Sequence, residues 1–123
     1  GECLTFASVE PPQTVAVVAQ RPGTRHPVAL GAPGKAILSM LPEDQWPEGV
    51  IDADRQKVDG VRANGWAETT NEVITGLHSV GVPLDLRGGQ AAALAAVFVG
   101  DGDRPAIAAR LRQAADVISR SGA

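Results

Sequence analysis

The feature that most constrains this chain is a change in the spacing of its apolar residues at Asn64-Gly65. Before this pair, Val58 and Val61 have the spacing of one helical face. After it, residues 77–84 alternate bulky with small or polar side chains, at the period of two that a strand requires. Glycine adopts the left-handed backbone conformation at no steric cost, so Asn64-Gly65 is a good helix stop. The chain therefore has to combine helices with strands.

Strand patterns open the chain. Residues 3–9 and 14–19 are rich in β-branched or apolar residues and flank a loop at 10–13, which predicts a hairpin. Residues 26–30 form a short extended piece. Because proline cannot donate a backbone hydrogen bond, Pro27 places this piece at the edge of a sheet or outside a sheet.

The rest of the chain predicts three helices and two further strands. Residues 65–76 between them are interpreted as an exposed acidic turn that carries Glu68 and Glu72. Asp103 is expected to cap the last helix. Hairpins combined with segregated helices imply an α+β domain with an antiparallel sheet and helices packed on it. The predicted helices are 31–41, 52–63 and 104–119, and the predicted strands are 77–84 and 91–99.

Length and charge exclude several classes of protein. A chain of 123 residues is expected to form a single domain, 1–123, with a real hydrophobic core. The net charge is −3 and the basic residues are dispersed, so the chain lacks the basic patch that is typical of a nucleic-acid binder. Cys3 is the only cysteine, so an internal disulfide and a cysteine-based zinc site are both excluded. No apolar run approaches the roughly 18 residues of a membrane span, and a cytoplasmic location is expected.

Two motifs of enzyme chemistry are incomplete. Gly34-Lys35 lacks the hydroxyl residue and the glycine spacing of a phosphate loop, and is interpreted as a helix start with a solvated lysine. Ser79 lies in a partial nucleophile elbow, but it is placed within a strand. A strand also directs His78 to the opposite face from Ser79, so the pair cannot act as base and nucleophile. The sequence therefore predicts a protein that is not an enzyme.

The acidic residues Asp52, Asp54 and Asp59 imitate a calcium loop only partly. Lys57 and Ala63 stand where the loop needs a glycine and a glutamate. These aspartates are interpreted as a solvated helix face. No metal site and no cofactor are predicted.

Several segments, taken in order, resemble the effector-binding domain of IclR-type transcriptional regulators. The resemblance covers nearly the whole chain and depends on joint spacing more than on any single motif. It implies a GAF-like α+β domain that senses a small organic or aromatic acid. It also implies homodimers or homotetramers, and DNA contact only through an N-terminal winged helix-turn-helix domain that this chain lacks. The segments are Pro27, Gly34-Lys35-Ala36-Ile37-Leu38, 61–67, Asn71-Glu72 and 76–84.

The resemblance also implies which residues line the effector pocket. Pro33 lacks an N–H, and Val97 and Val99 lack the hydroxyls found in members that bind small carboxylates. These departures indicate a larger or aromatic acid. Glu72 and Gly76 are assigned only to shaping the pocket wall. The pocket residues carried over are His26, Ala32, Pro33, Thr69, Ser79, Val97 and Val99.

Two other functions stay open on the sequence. The chain can be a GAF-like small-molecule sensor or a dimerisation module of another signalling protein, and an upstream kinase or cyclase would indicate this. An enzyme is the third possibility, although no nucleophile-base pair or metal cluster supports it. The bland interpretation of each site residue also stays open: Ser79 as a satisfied strand hydroxyl, His26 as a solvent-facing side chain, and Val97 and Val99 as core residues.

Overall fold

A computed structural model describes residues 1–5, 7–8, 22–72 and 76–122. The described residues form two antiparallel sheets and three α-helices, which confirms the α+β class. A short 3-10 helix, Glu43–Gln45, follows the first helix. The strands are β1 (Glu2–Leu4), β2 (Arg25–Pro27), β3 (Ala67–Thr70), β4 (His78–Asp85) and β5 (Ala91–Phe98), and the helices are α1 (Gly31–Ser39), α2 (Asp52–Asn64) and α3 (Arg104–Arg120).

The larger sheet has the order β3-β4-β5, with β4 in the centre. Its register pairs Thr69 with Ser79 and Ser79 with Val97. One row further along, Ala67 pairs with Gly81 and Gly81 with Ala95. Residues directly opposite each other in a sheet point to the same face, so each row is a line of neighbouring side chains.

Helix α3 covers one face of this sheet. The alternation in β4 directs the buried side chains Val82 and Leu84 to this face, where they pack with Ala92 and Ala115. Trp66, Leu94, Leu111 and Ile118 surround this cluster. This face holds the main apolar core of the described residues.

Helix α1 covers the other face, at very short range. A Cβ atom built on Gly81 would lie 2.9 Å from the carbonyl carbon and oxygen of Ala32, so only glycine allows this approach. A Cβ atom on Gly34 would lie 1.7 Å from the carbonyl oxygen of Val28. These two glycines allow α1 to pack closely against β4 on one side and against Val28, in the segment before α1, on the other.

The two-stranded sheet β1-β2 closes the remaining side of the helices. Cys3 pairs with His26, and both are buried. Cys3 joins a second core cluster with Val28, Leu38 and Val58, and Trp46 packs against it. The indole of Trp46 donates to the carbonyl oxygens of Leu38 and Leu41, at 3.0 and 3.1 Å. This cluster fixes α1 to α2.

Several boundaries agree with the sequence. Gly65 ends α2 with φ 88° and donates to the carbonyl of Val61 at 2.7 Å. Asp103 caps α3, because its side chain accepts from the Ala106 amide at 3.0 Å. Residues 77–84 and 91–99 are strands as predicted, apart from residues 77 and 99.

Other expectations were wrong. Residues 67–70 form a strand instead of an acidic turn, because they pair with β4. The local sequence pattern does not indicate this pairing. Of the extended piece expected at 26–30, only residues 26 and 27 lie in a strand: Arg25–Pro27 pair with β1 in a two-stranded sheet, and residues 28–30 form a turn. The proposed partner strand, 14–19, lies outside the described residues. In α3, Ala108 and Ala115 are buried, whereas Ala114 is exposed.

Candidate functional site

A row of polar and apolar side chains crosses the α1 face of the sheet. The register places Thr69, Ser79 and Val97 side by side on this face. Thr69 is 6% exposed, and the Ser79 hydroxyl is buried with no hydrogen-bond partner among the described residues. An unpaired buried hydroxyl costs free energy unless a partner arrives. Within the described part of the chain, Ser79 is therefore an unpaired hydrogen-bonding group on the face that α1 covers.

The first turn of α1 lies next to this row. Ala32 is fully buried and packs with Val61 and Ala67. Ala32 and Pro33 approach Gly81, which is the next position after Ser79 on the same face of β4. Thr69, Ser79, Val97, Ala32 and Pro33 thus share one side of the molecule, at the point where α1 begins.

An ion cluster around the buried side chain of Lys35 connects this helix start to the residues after β3. The Glu72 carboxylate accepts a hydrogen bond from the Gly31 amide at 3.2 Å and a close one from the ammonium of Lys35. Its second oxygen accepts from Lys57 at 2.6 Å. Lys35 is fully buried and also donates to the carbonyl of Ala29 at 2.7 Å.

The charge of Glu72 is stabilised by these contacts. Burial alone raises the pKa of the carboxyl, but the hydrogen bonds from Lys35 and Lys57, the charge of Lys35 and the Gly31 amide outweigh it. The pKa of Glu72 is therefore held below its ordinary value. Asp54 adds a second carboxylate at 3.8 Å from Lys35.

This cluster corrects two sequence-based assignments. Lys35 is not solvated, and Glu72 is the centre of the network that fixes α1, not a residue that only shapes a wall. The Gly31 amide at the helix start already binds a carboxylate of the chain itself. The available signal was that Lys35 is the single charged residue in segment 31–41. Its partner, however, is distant in sequence, and local periodicity does not reveal it.

His26 and Val99 are not joined to the row by any described contact. His26 is 9% exposed, and neither ring nitrogen has a partner among the described residues. Burial lowers the pKa of His26, which favours the neutral ring. Burial also raises the pKa of the neighbouring Cys3 thiol. Val99 follows β5 and is 60% exposed, while Val97 is 42% exposed.

The opposite face carries a polar cluster that the sequence did not indicate. His78 Nδ1 lies 2.9 Å from both the Arg104 guanidinium and the Thr70 hydroxyl, and its ring stacks on Phe98. Arg104 also binds Glu68 at 2.9 Å. Since arginine only donates, His78 Nδ1 accepts the hydrogen bond from Arg104. His78 and Ser79 lie on opposite faces, as predicted.

Neither a metal centre nor a membrane span is found within the described part of the chain. No three His, Cys, Asp or Glu side chains of residues 1–5, 7–8, 22–72 and 76–122 come together as metal ligands. Over the same residues, no helix combines the length and apolar character needed to cross a bilayer.

Comparisons with solved structures connect this architecture to a group of regulators. An IclR transcriptional regulator from Alicyclobacillus acidocaldarius superimposes over 99% of this chain with a TM-score of 0.82 and 21% identity. An IclR-family regulator from a Rhodococcus species matches 97% of the chain with a TM-score of 0.77 and 28% identity. The C-terminal domain of the E. coli regulator KdgR matches 80% of it, with a TM-score of 0.67 and 27% identity, over 73% of that domain.

The chain has the fold of an IclR-type C-terminal domain. It spans 56% of the Alicyclobacillus protein and 52% of the Rhodococcus protein, or about half the length of these regulators. No protein-family model matches the sequence, and no curated protein matches it. The IclR-type fold is therefore supported by structure at low sequence identity.

Proposed function

We propose that this chain is the ligand-sensing and oligomerisation domain of a bacterial IclR-type transcriptional regulator. It binds a small organic or aromatic acid and alters DNA binding by a winged helix-turn-helix domain outside this chain. The protein acts in the cytoplasm and is not an enzyme. The structural neighbours, which are transcriptional regulators, support the regulatory role.

The buried Ser79 hydroxyl is the observation that carries this proposal. It lies between Thr69 and Val97 on the face that α1 covers, and it has no partner among the described residues. A ligand oxygen that binds Ser79 recovers the hydrogen bond that folding leaves unmade. This gives the site affinity for a polar group, while Val97 and Ala95 supply apolar surface beside it.

The ion cluster limits the kind of ligand that fits. Glu72 already occupies the Gly31 amide and the Lys35 ammonium, so these two donors are not free for the acid group. The acid group is therefore held by hydroxyls, with Ser79 and Thr69 as donors. The proposed pocket also includes His26, Pro33, Ala32 and Val99, and their largely apolar character favours a larger or aromatic acid.

The same cluster gives a route from the ligand to the rest of the domain. Glu72 connects the start of α1 with Lys57 on α2. A ligand that displaces α1 from β4 changes the Gly31–Glu72 contact and thereby the position of α2. The domain then has two arrangements, one with α1 against β4 and one with α1 displaced. Only a ligand that binds one of them more tightly than the other shifts the equilibrium between them.

A thermal-shift screen of organic and aromatic acids tests the proposal. A true effector at a hundredfold excess over its dissociation constant stabilises the domain by about 2.7 kcal/mol. Ser79→Ala should abolish most of that stabilisation, whereas Ser121→Ala, an exposed hydroxyl beyond α3, should keep it. A panel in which nothing raises the melting temperature, or an acid that stabilises Ser79→Ala as well as the parent, contradicts the proposal.

The regulatory role has a separate test in the gene that encodes the chain. A winged helix-turn-helix of roughly 60 to 80 residues upstream supports it, at the domain sizes usual for such modules. An upstream kinase or cyclase domain instead assigns the chain to another class of signalling protein.

A further inference from the structure

Cys3 of β1 and His26 of β2 are directly opposite each other in the two-stranded sheet. In each strand the middle residue is buried and its two neighbours are exposed, so both side chains point to the buried side. Opposite residues of an antiparallel pair have Cβ atoms roughly 4.5 to 5.5 Å apart. A thiol and an imidazole are therefore neighbours in the interior.

The His26 ring is buried without a partner. It is 9% exposed, and among residues 1–5, 7–8, 22–72 and 76–122 neither ring nitrogen has a hydrogen-bond partner, the Cys3 thiol included. Burial removes water from both nitrogens, and this loss costs free energy unless another partner replaces the water. Burial also lowers the pKa of His26, which favours the neutral ring with a lone pair on one nitrogen. The ring is therefore available to an electron acceptor between it and the thiol.

We propose that Cys3 and His26 together bind one copper(I) ion, through the sulfur and one ring nitrogen. Copper and zinc are the ions that both thiolate and imidazole ligands favour. With bonds of about 2.3 Å to sulfur and 2.0 Å to nitrogen, as for zinc, the two ligand atoms lie up to roughly 4.3 Å apart. Side chains that start from Cβ atoms at the cross-strand spacing can span this distance.

The number of ligands distinguishes copper(I) from zinc. Within the described ranges, no three His, Cys, Asp or Glu side chains come together, so the ion has to accept two protein ligands. Zinc in structural sites takes four ligands in a tetrahedron. Copper(I), in contrast, is stable with two ligands in line.

The charge of the site distinguishes the two ions in the same direction. A thiolate, a neutral imidazole and a monovalent ion together carry no net charge, whereas a divalent ion leaves one positive charge. Cys3 packs with Val28, Leu38 and Val58, and these side chains offer no compensating anion. An uncompensated charge in apolar surroundings is costly, so the monovalent ion is favoured.

Binding of the ion displaces a proton. Burial raises the pKa of the Cys3 thiol, so the sulfur carries its proton before the ion binds. The S–H bond breaks, a copper–sulfur bond forms, and the proton passes to solvent without any transfer of electrons. The bound ion then links β1 to β2, which are otherwise joined by only three residue pairs in the described chain.

Anaerobic competition with a chromophoric copper(I) chelator tests the site. We expect one copper(I) ion per chain. Cys3→Ala should weaken binding about a hundredfold and His26→Gln about tenfold, because even the loss of a residue that only supports a ligand costs about 10- to 100-fold. His78→Gln is the matched control. It replaces the chain's other histidine, whose Nδ1 accepts from Arg104, and the affinity should not change.

Two further ions test the charge argument. Silver(I) has the same charge and the same tolerance of two ligands, so it should displace copper(I) from the parent chain. Zinc(II) at an equal concentration should not displace it. Displacement by zinc(II) and not by silver(I) would contradict the assignment of a monovalent ion.

Two results overturn the inference as a whole. One is a parent chain that binds copper(I) no more tightly than Cys3→Ala does, and the other is an equal loss of affinity in His26→Gln and His78→Gln. Far-ultraviolet spectra and melting temperatures confirm that each variant folds. If Cys3→Ala does not fold, Cys3→Ser, which keeps the size of the side chain, takes its place.

The metal site goes beyond the proposed function and does not depend on it. The proposed effector pocket also includes His26, but Ser79 and Thr69 hold the acid group there. Ser79→Ala should therefore keep the copper(I) affinity of the parent chain, and Cys3→Ala should keep the stabilisation by the effector. Failure of one proposal and failure of the other thus give different results.

Discussion

The two faces of the β3-β4-β5 sheet use opposite means to hold a helix. On the α3 face, Leu84 and Val82 pack against Ala115 with large apolar side chains, and the contact is stabilised by burial. On the α1 face, Gly81 brings two backbones together, and the helix is fixed by the buried pair of Lys35 and Glu72. The hydrophobic contribution of an apolar contact has no directional requirement, whereas a hydrogen-bonded ion cluster depends on the distances and angles between its groups. We therefore expect the α1 contact to be the more sensitive of the two to a change in charge.

The largest effect is expected from Lys35→Met, which breaks the buried pair. It leaves Glu72 with Lys57 and the Gly31 amide alone, and we expect a loss of about 3 kcal/mol in the free energy of unfolding. Urea denaturation measures it. Lys57→Met is the control, because its side chain is 49% exposed and its loss should cost less than about 1 kcal/mol. Equal losses in the two variants would show that the cluster is not the support of α1.

A smaller loss is expected on the α3 face from Leu84→Ala. Truncation of this side chain, which is 6% exposed, leaves a cavity and should cost about 2 to 3 kcal/mol. Because the loss is confined to the α3 core, it should leave effector affinity unchanged in isothermal titration. If Leu84→Ala weakens effector binding as strongly as Ser79→Ala does, the two faces are not separate in function.

The close approach of α1 gives a matched pair of glycine substitutions. Gly81→Ala forces the new Cβ to 2.9 Å from the Ala32 backbone, and we expect a loss of about 1 to 2 kcal/mol. Gly60→Ala adds the same atom to α2 in open space, and should instead stabilise the domain by up to about 1 kcal/mol. Thermal unfolding gives both values. Stabilisation by both substitutions would contradict the tight contact between α1 and β4.

The smallest effects are expected in the dependence of stability on pH. Burial lowers the pKa of His26, so as pH falls below about 6.5 the unfolded chain takes up a proton on this residue before the folded chain does. The free energy of unfolding therefore decreases as pH falls through this range. Burial raises the pKa of Glu72, but its hydrogen bonds lower the pKa by more than burial raises it. The ionised carboxylate therefore stabilises the folded chain fully above the unfolded pKa of about 4.3, and this stabilisation is lost as pH falls through the lower folded pKa.

Urea denaturation at a series of pH values separates these two contributions. His26→Gln should flatten the fall between neutral pH and pH 5, and Glu72→Gln the fall below it. If the free energy of unfolding of Glu72→Gln decreases below pH 5 as steeply as that of the parent, this carboxyl does not stabilise the fold through its charge.

Much of the fold could be predicted from local chemistry. The left-handed conformation at Gly65 ended a helix, the Asp103 side chain capped another, and alternation in 77–84 announced the central strand. Each of these signals lies within a few residues of the feature it specifies. The short strand Ala67–Thr70 was not predicted, because its pairing with β4 determines it more than its own composition does.

The candidate site divides in the same way. The sequence alone determined the class of fold, and its resemblance to IclR-type regulators directed attention to Ser79 and Thr69, which the register then placed side by side. Only the tertiary structure decided that Lys35 is buried and that Glu72, distant along the chain, neutralises it at the start of α1. Periodicity reports which face of an element a residue lies on. It carries no information about which charge from another element will meet that residue, because that depends on how the packed elements are placed in space.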